Sequence, residues 1–355
     1  MLRPQTLLHS SRRLIVFAFL CLLVVFLTAC DKASNLTKEV AYVNAPQVYL
    51  RDRLSTIYQK KGTVRLGERV YVLDHNRRFS LVRNERGEEG WISDRYLLSS
   101  DHYGQFQKLV TDNAKAPIVA RGISRTTLNL HLTPGRDTEH LFQLKEGEKV
   151  DILKREAVEK PQRSQPVIKK TAEAETPRPA MEDWLLVRND LARVGWVLAR
   201  MVDIDVPLDV AQYAEGQRIV SSFVLNEVQD GDNKVKQYLL MLSDNQDGLP
   251  YDFNQIRVFT WNVKRHRYET ALRERNLDGV FPVTVGTESF GSEGALPIFT
   301  LRVKNDQGQI KERKYRLIDT VVRRVASPEE LKAEAAERAA KRASQPRKPS
   351  QKRRK

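Results

Sequence analysis

Few residues of this chain have side chains and spacings suited to chemistry. Cys21 and Cys30 are its only thiols. Cys30 follows Leu27-Thr28-Ala29, and upstream Arg12 and Arg13 precede fourteen consecutive apolar residues, Leu14 to Leu27. A basic start, an apolar run and a small residue before the break are the layout of an export signal. A helix of that length spans about 21 Å, short of a roughly 30 Å hydrocarbon core, so it makes a poor permanent anchor. The histidines beyond it, His75, His102, His131, His140 and His266, form no ligand-spaced pair. Asp244, Asp247, Asp252 and Asp278 lack the alternating-ligand loop and closing glutamate of a calcium site and read as polar turns. Gly286-Thr287-Glu288-Ser289-Phe290-Gly291 has neither the lysine nor the following helix of a phosphate cradle. No catalytic set, metal site or cofactor site is legible, and the expectation is a protein that is not an enzyme.

Leu27-Thr28-Ala29-Cys30 resembles the lipobox of bacterial lipoproteins. The resemblance implies cleavage before Cys30, a diacylglycerol on its thiol and a further acyl chain on the new amino end. Each buried methylene supplies about 0.8 kcal/mol, so several chains hold where one would not. The expected location is the bacterial cell envelope, lipid-anchored and facing away from the cytoplasm. Asp31 resembles an inner-membrane retention signal and is followed by Lys32, so the choice of membrane stays open. Residues 1–29 are then a signal peptide and 30–40 the lipidated cysteine and its tether. With Cys21 discarded and Cys30 acylated, no cysteine remains for a disulfide, a thiolate metal site or a nucleophile.

The formal charge is +15, and eight of the lysines and arginines lie in residues 341–355 without an acid among them. The body is far less basic than the whole. A helix is expected from Ser327-Pro328-Glu329-Glu330, where serine caps, proline fits the first turn and the acids face the positive dipole end. Beyond it the basic tail suits anionic lipid, an anionic wall polymer or an acidic protein patch, and nucleic acid is not expected in that compartment.

The elements that must position any site come as a repeat. Gly67-Glu68-Arg69-Val70-Tyr71-Val72-Leu73 is answered by Gly147-Glu148-Lys149-Val150-Asp151-Ile152-Leu153, and Phe79-Ser80-Leu81-Val82-Arg83-Asn84 by Trp184-Leu185-Leu186-Val187-Arg188-Asn189. Gly90-Trp91-Ile92 is answered by Gly195-Trp196-Val197, with the same spacing from the preceding asparagine. Matched blocks in one order indicate two related modules of short strands, with Arg86-Gly87 as a turn. Gly67, Val70, Val82, Gly90, Trp91 and their counterparts Gly147, Val150, Val187, Gly195, Trp196 are the expected structural core. These blocks resemble the bacterial SH3-like family. The resemblance implies two small barrels, at 41–99 and 117–204, that recognise peptides, often those of peptidoglycan, or tether a neighbouring domain. It also matches Val48-Tyr49-Leu50-Arg51 and Leu128-Asn129-Leu130-His131 to the family's opening strand. Phe79 and Trp91 read as barrel filling. Tyr49 and Tyr58, outside the strand blocks, read with Arg51 as ligand-binding residues, and His131 as a solvated strand residue.

Residues 154–183 carry four prolines and many charges and read as a flexible insertion. Residues 206–325 show no third copy. Their apolar runs at 219–225, 237–242, 255–261, 280–285 and 297–303, with Asp-Gly or Gln-Gly pairs between them, predict an antiparallel sandwich or barrel, closed by a strand over 311–325. The fold expectation is mainly β, two small barrels followed by this domain. The functional expectation is a non-enzymatic envelope lipoprotein that binds peptidoglycan peptides or envelope proteins. The alternatives are an assembly scaffold without wall binding and, more remotely, a cell-wall hydrolase with targeting modules.

Overall fold

A computed structural model describes residues 39–161 and 179–326, with a few positions between 328 and 336. The lipobox, Cys30, most of the 154–183 insertion, most of the terminal helix and the basic tail lie outside the described residues. The chain divides into two compact units, one ending at Ser100 and one starting at Asp101. It is mainly β and antiparallel throughout. Among the described residues no helix is long and apolar enough to cross a membrane.

The first unit is one seven-stranded sheet. Its strands are β1 (Glu39–Val43), β2 (Gln47–Arg51), β3 (Lys60–Arg65), β4 (Arg69–Asn76), β5 (Phe79–Asn84), β6 (Glu89–Ser93) and β7 (Leu97–Ser99). They pair in the order β3-β2-β6-β5-β4-β1-β7. Strands far apart in that order share one core: Val43 of β1, Leu50 of β2, Val64 of β3, Val70 of β4, Val82 of β5 and Ile92 of β6. A flat sheet cannot do this, so the ladder curls around its alternating inward residues, with β3 and β7 as its ends.

The second unit opens with helix α1 (Ser100–Asp112) and repeats the ladder with β8 (Ala120–Ser124), β9 (Leu128–His131), β10 (His140–Leu144), β11 (Lys149–Glu159), β12 (Met181–Asn189), β13 (Val194–Leu198) and β14 (Val202–Ile204). Registers coincide with the first module. Leu81 faces Trp91 as Leu186 faces Trp196, and both copies slip by one residue on passing Leu73 or Leu153. Gly87 takes a left-handed φ of 82°, and Ala192 occupies the corresponding position at 56°. Gly90 and Gly195 are fixed by close approach: a Cβ there would lie 2.8 Å from Leu50 Cβ or 2.6 Å from Leu130 Cβ.

Two expectations change here. Strand β11 runs on through Arg155 to Glu159 and β12 begins at Met181, so both ends of the supposed 154–183 insertion are paired strand. Charge density hid this, because Glu156, Val158 and Arg155 face Trp184, Glu182 and Leu185 across a ladder that needs no apolar alternation. Helix α1, absent from the sequence reading, places Phe106, Leu109 and Val110 on one side at helical spacing.

The C-terminal sheet follows a short helix α2 (Leu208–Ala211) and comprises β15 (Arg218–Asp230), β16 (Asn233–Ser243), β17 (Phe253–Asn262), β18 (Arg267–Ser289), β19 (Ala295–Lys304), β20 (Ile310–Ile318) and β21 (Val321–Val325), paired in sequence order. Asp278-Gly279 is not a turn: it lies within β18, where Gly279 makes room for the Phe253 ring. The expected last strand is two, divided where Asp319 takes a φ of 51°.

Candidate ligand-binding surface

Strand β2 alternates, so Leu50 enters the core while Tyr49 and Arg51 face outward. The Arg51 guanidinium lies 4.3 Å from the Tyr58 ring centre and 5.5 Å from that of Phe79. Lys60 Nζ lies 4.2 Å from the ring centre of Tyr49, whose hydroxyl accepts a 3.3 Å bond from Gln47. The loop between β2 and β3 is clasped by Asp52. Its amide donates to Gln59 O at 3.0 Å, and its carboxylate accepts the Gln59 amide at 2.7 Å. The Arg53 side chain, bonded to the same carboxylate, holds its pKa below the usual range. That clasp brings Tyr58 back over Arg51.

The three residues read from the sequence, Tyr49, Arg51 and Tyr58, therefore share one face of the β2–β3 hairpin. Phe79 and Trp91 join it, which corrects their reading as barrel filling. Val70, Val82 and Ile92 fill the core, and Phe79 and Trp91 are half-buried on the opposite face of the same strands. The alternation of β5 and β6 contained this, since Val82 inside requires Phe79 and Leu81 on other positions. In the second module Val150 and Val187 lie in the inner core, and Trp196 is buried on the outer face.

Beside Lys60 opens a cavity of about 490 Å³ lined by Lys61, Thr63, Arg65, Arg86 and Glu88. Arg86 is neutralised by Glu68 at 3.1 Å and Glu88 at 3.3 Å. Arg51, Lys60, Lys61 and Arg65 have no carboxylate partner among the described residues. An arginine stacked on aromatic rings keeps its N–H edge for a carboxylate, which it can hold with two parallel bonds. The surface is therefore suited to an extended ligand carrying a carboxylate beside apolar or amide groups.

The second module replaces this cation. His131 occupies the place of Arg51, each lying opposite the module's tryptophan on the ladder. It is half-buried rather than solvated, 5.2 Å from the Trp184 ring and 5.7 Å from that of His140. Burial pushes the pKa of both histidines below 6.5. The folded state then favours neutral rings, so stability is complete above about pH 6.5 and falls as pH drops from there toward the folded values. Melting temperatures at pH 7.5 and 5 should differ less in a His131→Gln, His140→Gln protein than in the unaltered chain. An equal difference in both would refute this source of acid sensitivity.

A larger cleft, about 820 Å³, lies within the second unit between its module and the C-terminal sheet, lined by Ile152, Leu185, Val202, Ile204, Val220 and Phe281 among others. Its charges are already paired. Arg155 meets Asp183 at 2.9 Å and Asp252 at 3.1 Å, Arg218 meets Asp247 at 3.1 Å, and Arg125 meets Asp203 at 2.6 Å. Asp252 also accepts the Phe281 amide at 2.9 Å. Tyr251 donates to Asp244 at 2.9 Å. These aspartates act as structural acceptors, and no group of three metal-ligating side chains occurs among the described residues.

No protein-family model matches the chain, and no curated protein matches it. Among solved structures, NlpC2 from Trichomonas vaginalis is 10% identical over 68% of this chain and 99% of that one, with a TM-score of 0.17. An NlpC/P60 family protein from Bacillus cereus is 8% identical over 65% and 93%, with a TM-score of 0.21. NlpC1 from Trichomonas vaginalis is 12% identical over 79% and 89%, with a TM-score of 0.17. At such TM-scores these likenesses carry no argument about fold or activity. The site stands on its own geometry.

Proposed function

We propose that this chain is a lipid-anchored, non-enzymatic protein of the bacterial envelope whose first module binds carboxylate-bearing peptides of the cell wall. The observation that carries the reading is Arg51, a guanidinium stacked on Tyr58 with no carboxylate partner among the described residues. Tyr49 and Lys60 continue the surface, and the neighbouring basic cavity extends it. Acyl chains on Cys30 would confine the module near the wall, so that a weak contact acts at high effective concentration. The second module, with His131 held toward neutrality by burial, contributes no equivalent cation.

Co-sedimentation with purified peptidoglycan tests this reading, comparing the full chain in detergent with a chain ending at Ala326. Saturable binding retained by the shorter chain supports recognition by the folded modules. Binding lost with the basic tail would reduce the interaction to charge attraction and overturn the proposal.

A further inference from the structure

The two modules differ most on the outer face of their central strands. In the second, Leu153, Trp184, Leu186, Val194 and Trp196 form a buried cluster covered by Leu109 and Val110 of helix α1. Arg188, from the same face, donates to the two carbonyls immediately after this helix, Asn113 O at 3.1 Å and Ala114 O at 3.0 Å. The arginine thus caps a helix C-terminus, where carbonyls lack partners and the dipole is negative.

The first module carries the same layout, and among the described residues of its unit no α-helix covers it. By register, Leu73, Phe79, Leu81 and Trp91 correspond to Leu153, Trp184, Leu186 and Trp196. All four are half-buried. Around them Glu89 stands for Val194 and Ser93 for Leu198. An apolar centre with a polar rim is the composition of a surface that opens and closes, whereas the wholly apolar counterpart is permanently covered. Arg83 stands for Arg188 and, with no α-helix to cap among the described residues of its unit, turns to Glu89 at 2.6 Å. At the Phe79 end, Arg77 and Arg78 are exposed and have no carboxylate partner among the described residues, and the half-buried Arg51 beside Trp91 likewise has none there.

We infer that this outer face of the first module docks an amphipathic, acidic helix of a partner protein. Leucine or valine at α1-like spacing would fill the space over Leu81 and Trp91. Arg83 would exchange Glu89 for the last carbonyls of the helix, and acids along the helix would meet Arg51, Arg77 and Arg78. The inference rests on reading the first module as a recognition module; it shares Arg51, Phe79 and Trp91 with the hairpin surface and extends along the outer face to Leu81 and Arg83.

The probe is a synthetic helix, stapled to hold its fold, with the sequence of residues 100–116 and glutamates at the positions of Gln105, Gln107 and Lys108, all exposed in α1. A second version carries lysines there. Each is titrated into the full chain in detergent and followed by anisotropy of a dye on the peptide. The acidic helix is expected to bind about tenfold more tightly than the basic one, a difference of one decade in Kd. Leu81→Glu should abolish that binding, and Arg83→Ala, at a surface position, should weaken it. No binding of the acidic helix, or binding unchanged by both substitutions, would overturn the inference. Leu81 and Arg83 are not used by the wall-peptide reading, so a parent chain that binds the acidic helix but does not sediment with peptidoglycan would overturn that reading and leave helix docking standing.

Discussion

Replacing Arg155 by alanine is expected to loosen the joint between the second module and the C-terminal sheet. Its guanidinium reaches four acceptors in the second unit: Asp183 at 2.9 Å, Asp252 at 3.1 Å, Leu249 O at 2.8 Å and Tyr251 O at 2.7 Å. The arginine side chain is only 16% exposed and Asp183 only 3%. Removing it leaves the buried Asp183 carboxylate with the Gly248 amide at 3.0 Å and a longer contact to Arg218 at 3.4 Å. Breaking a buried pair by deleting one partner typically costs about 3–5 kcal/mol. For a unit of this size that lowers the melting temperature by on the order of 10 °C. Arg155→Lys should recover little, since a single ammonium cannot span four acceptors. An alanine variant that melts with the parent, and resists proteolysis around residues 244–253 equally well, would contradict this account of the joint.

The equivalent tryptophans should behave unequally. Trp196 is 6% exposed and belongs to the cluster beneath helix α1, so Trp196→Ala removes a large buried side chain and opens a cavity. The expected loss is about 3–5 kcal/mol. Trp91 has the same place on the ladder but is half-buried, with no covering α-helix among the described residues of its unit, so Trp91→Ala should cost clearly less. Denaturant melts of the two variants against the parent measure the difference. Equal losses would mean that the first module's outer face is as fully packed as the second's, which would also remove the basis for a docking surface there.

Much of the architecture was legible because the repeat is written in positions that geometry constrains. Gly90 and Gly195 abut Leu50 and Leu130, and the asparagines before them each accept two amides of their hairpin, Asn84 from Arg86 and Glu88 and Asn189 from Leu191 and Arg193. Such residues leave little freedom, so both copies keep them and the pairing can be read. The C-terminal strands were readable from apolar runs, but Asp278-Gly279 misled, because a glycine that yields space to Phe253 has the same letters as a turn. Arg155 and Asp183 were hidden in a stretch whose charges and prolines suggested solvent. Their burial depends on Leu249, Tyr251 and Asp252, about a hundred residues away in the case of Arg155, and no local pattern encodes that meeting. Of the candidate surface, Tyr49 and Tyr58 were singled out as lying outside the strand blocks and Arg51 through the resemblance to the family's opening strand, and the structure brings the three together. Phe79 and Trp91 were assigned to the wrong face, since a large aromatic in a strand block looks like core until its neighbours' burial is known.

The central claim is that an unneutralised arginine on an aromatic surface recognises a carboxylate. Calorimetric titration of the full chain, in detergent, with soluble peptidoglycan stem peptides tests it most directly, using the parent and an Arg51→Gln variant that keeps bulk and polarity but loses the charge. The account predicts saturable binding by the parent, a loss of about tenfold or more on substitution, as expected for a desolvated charge-assisted pair, and unchanged thermal stability. Equal affinity in the two proteins, or no binding by the parent, would contradict it.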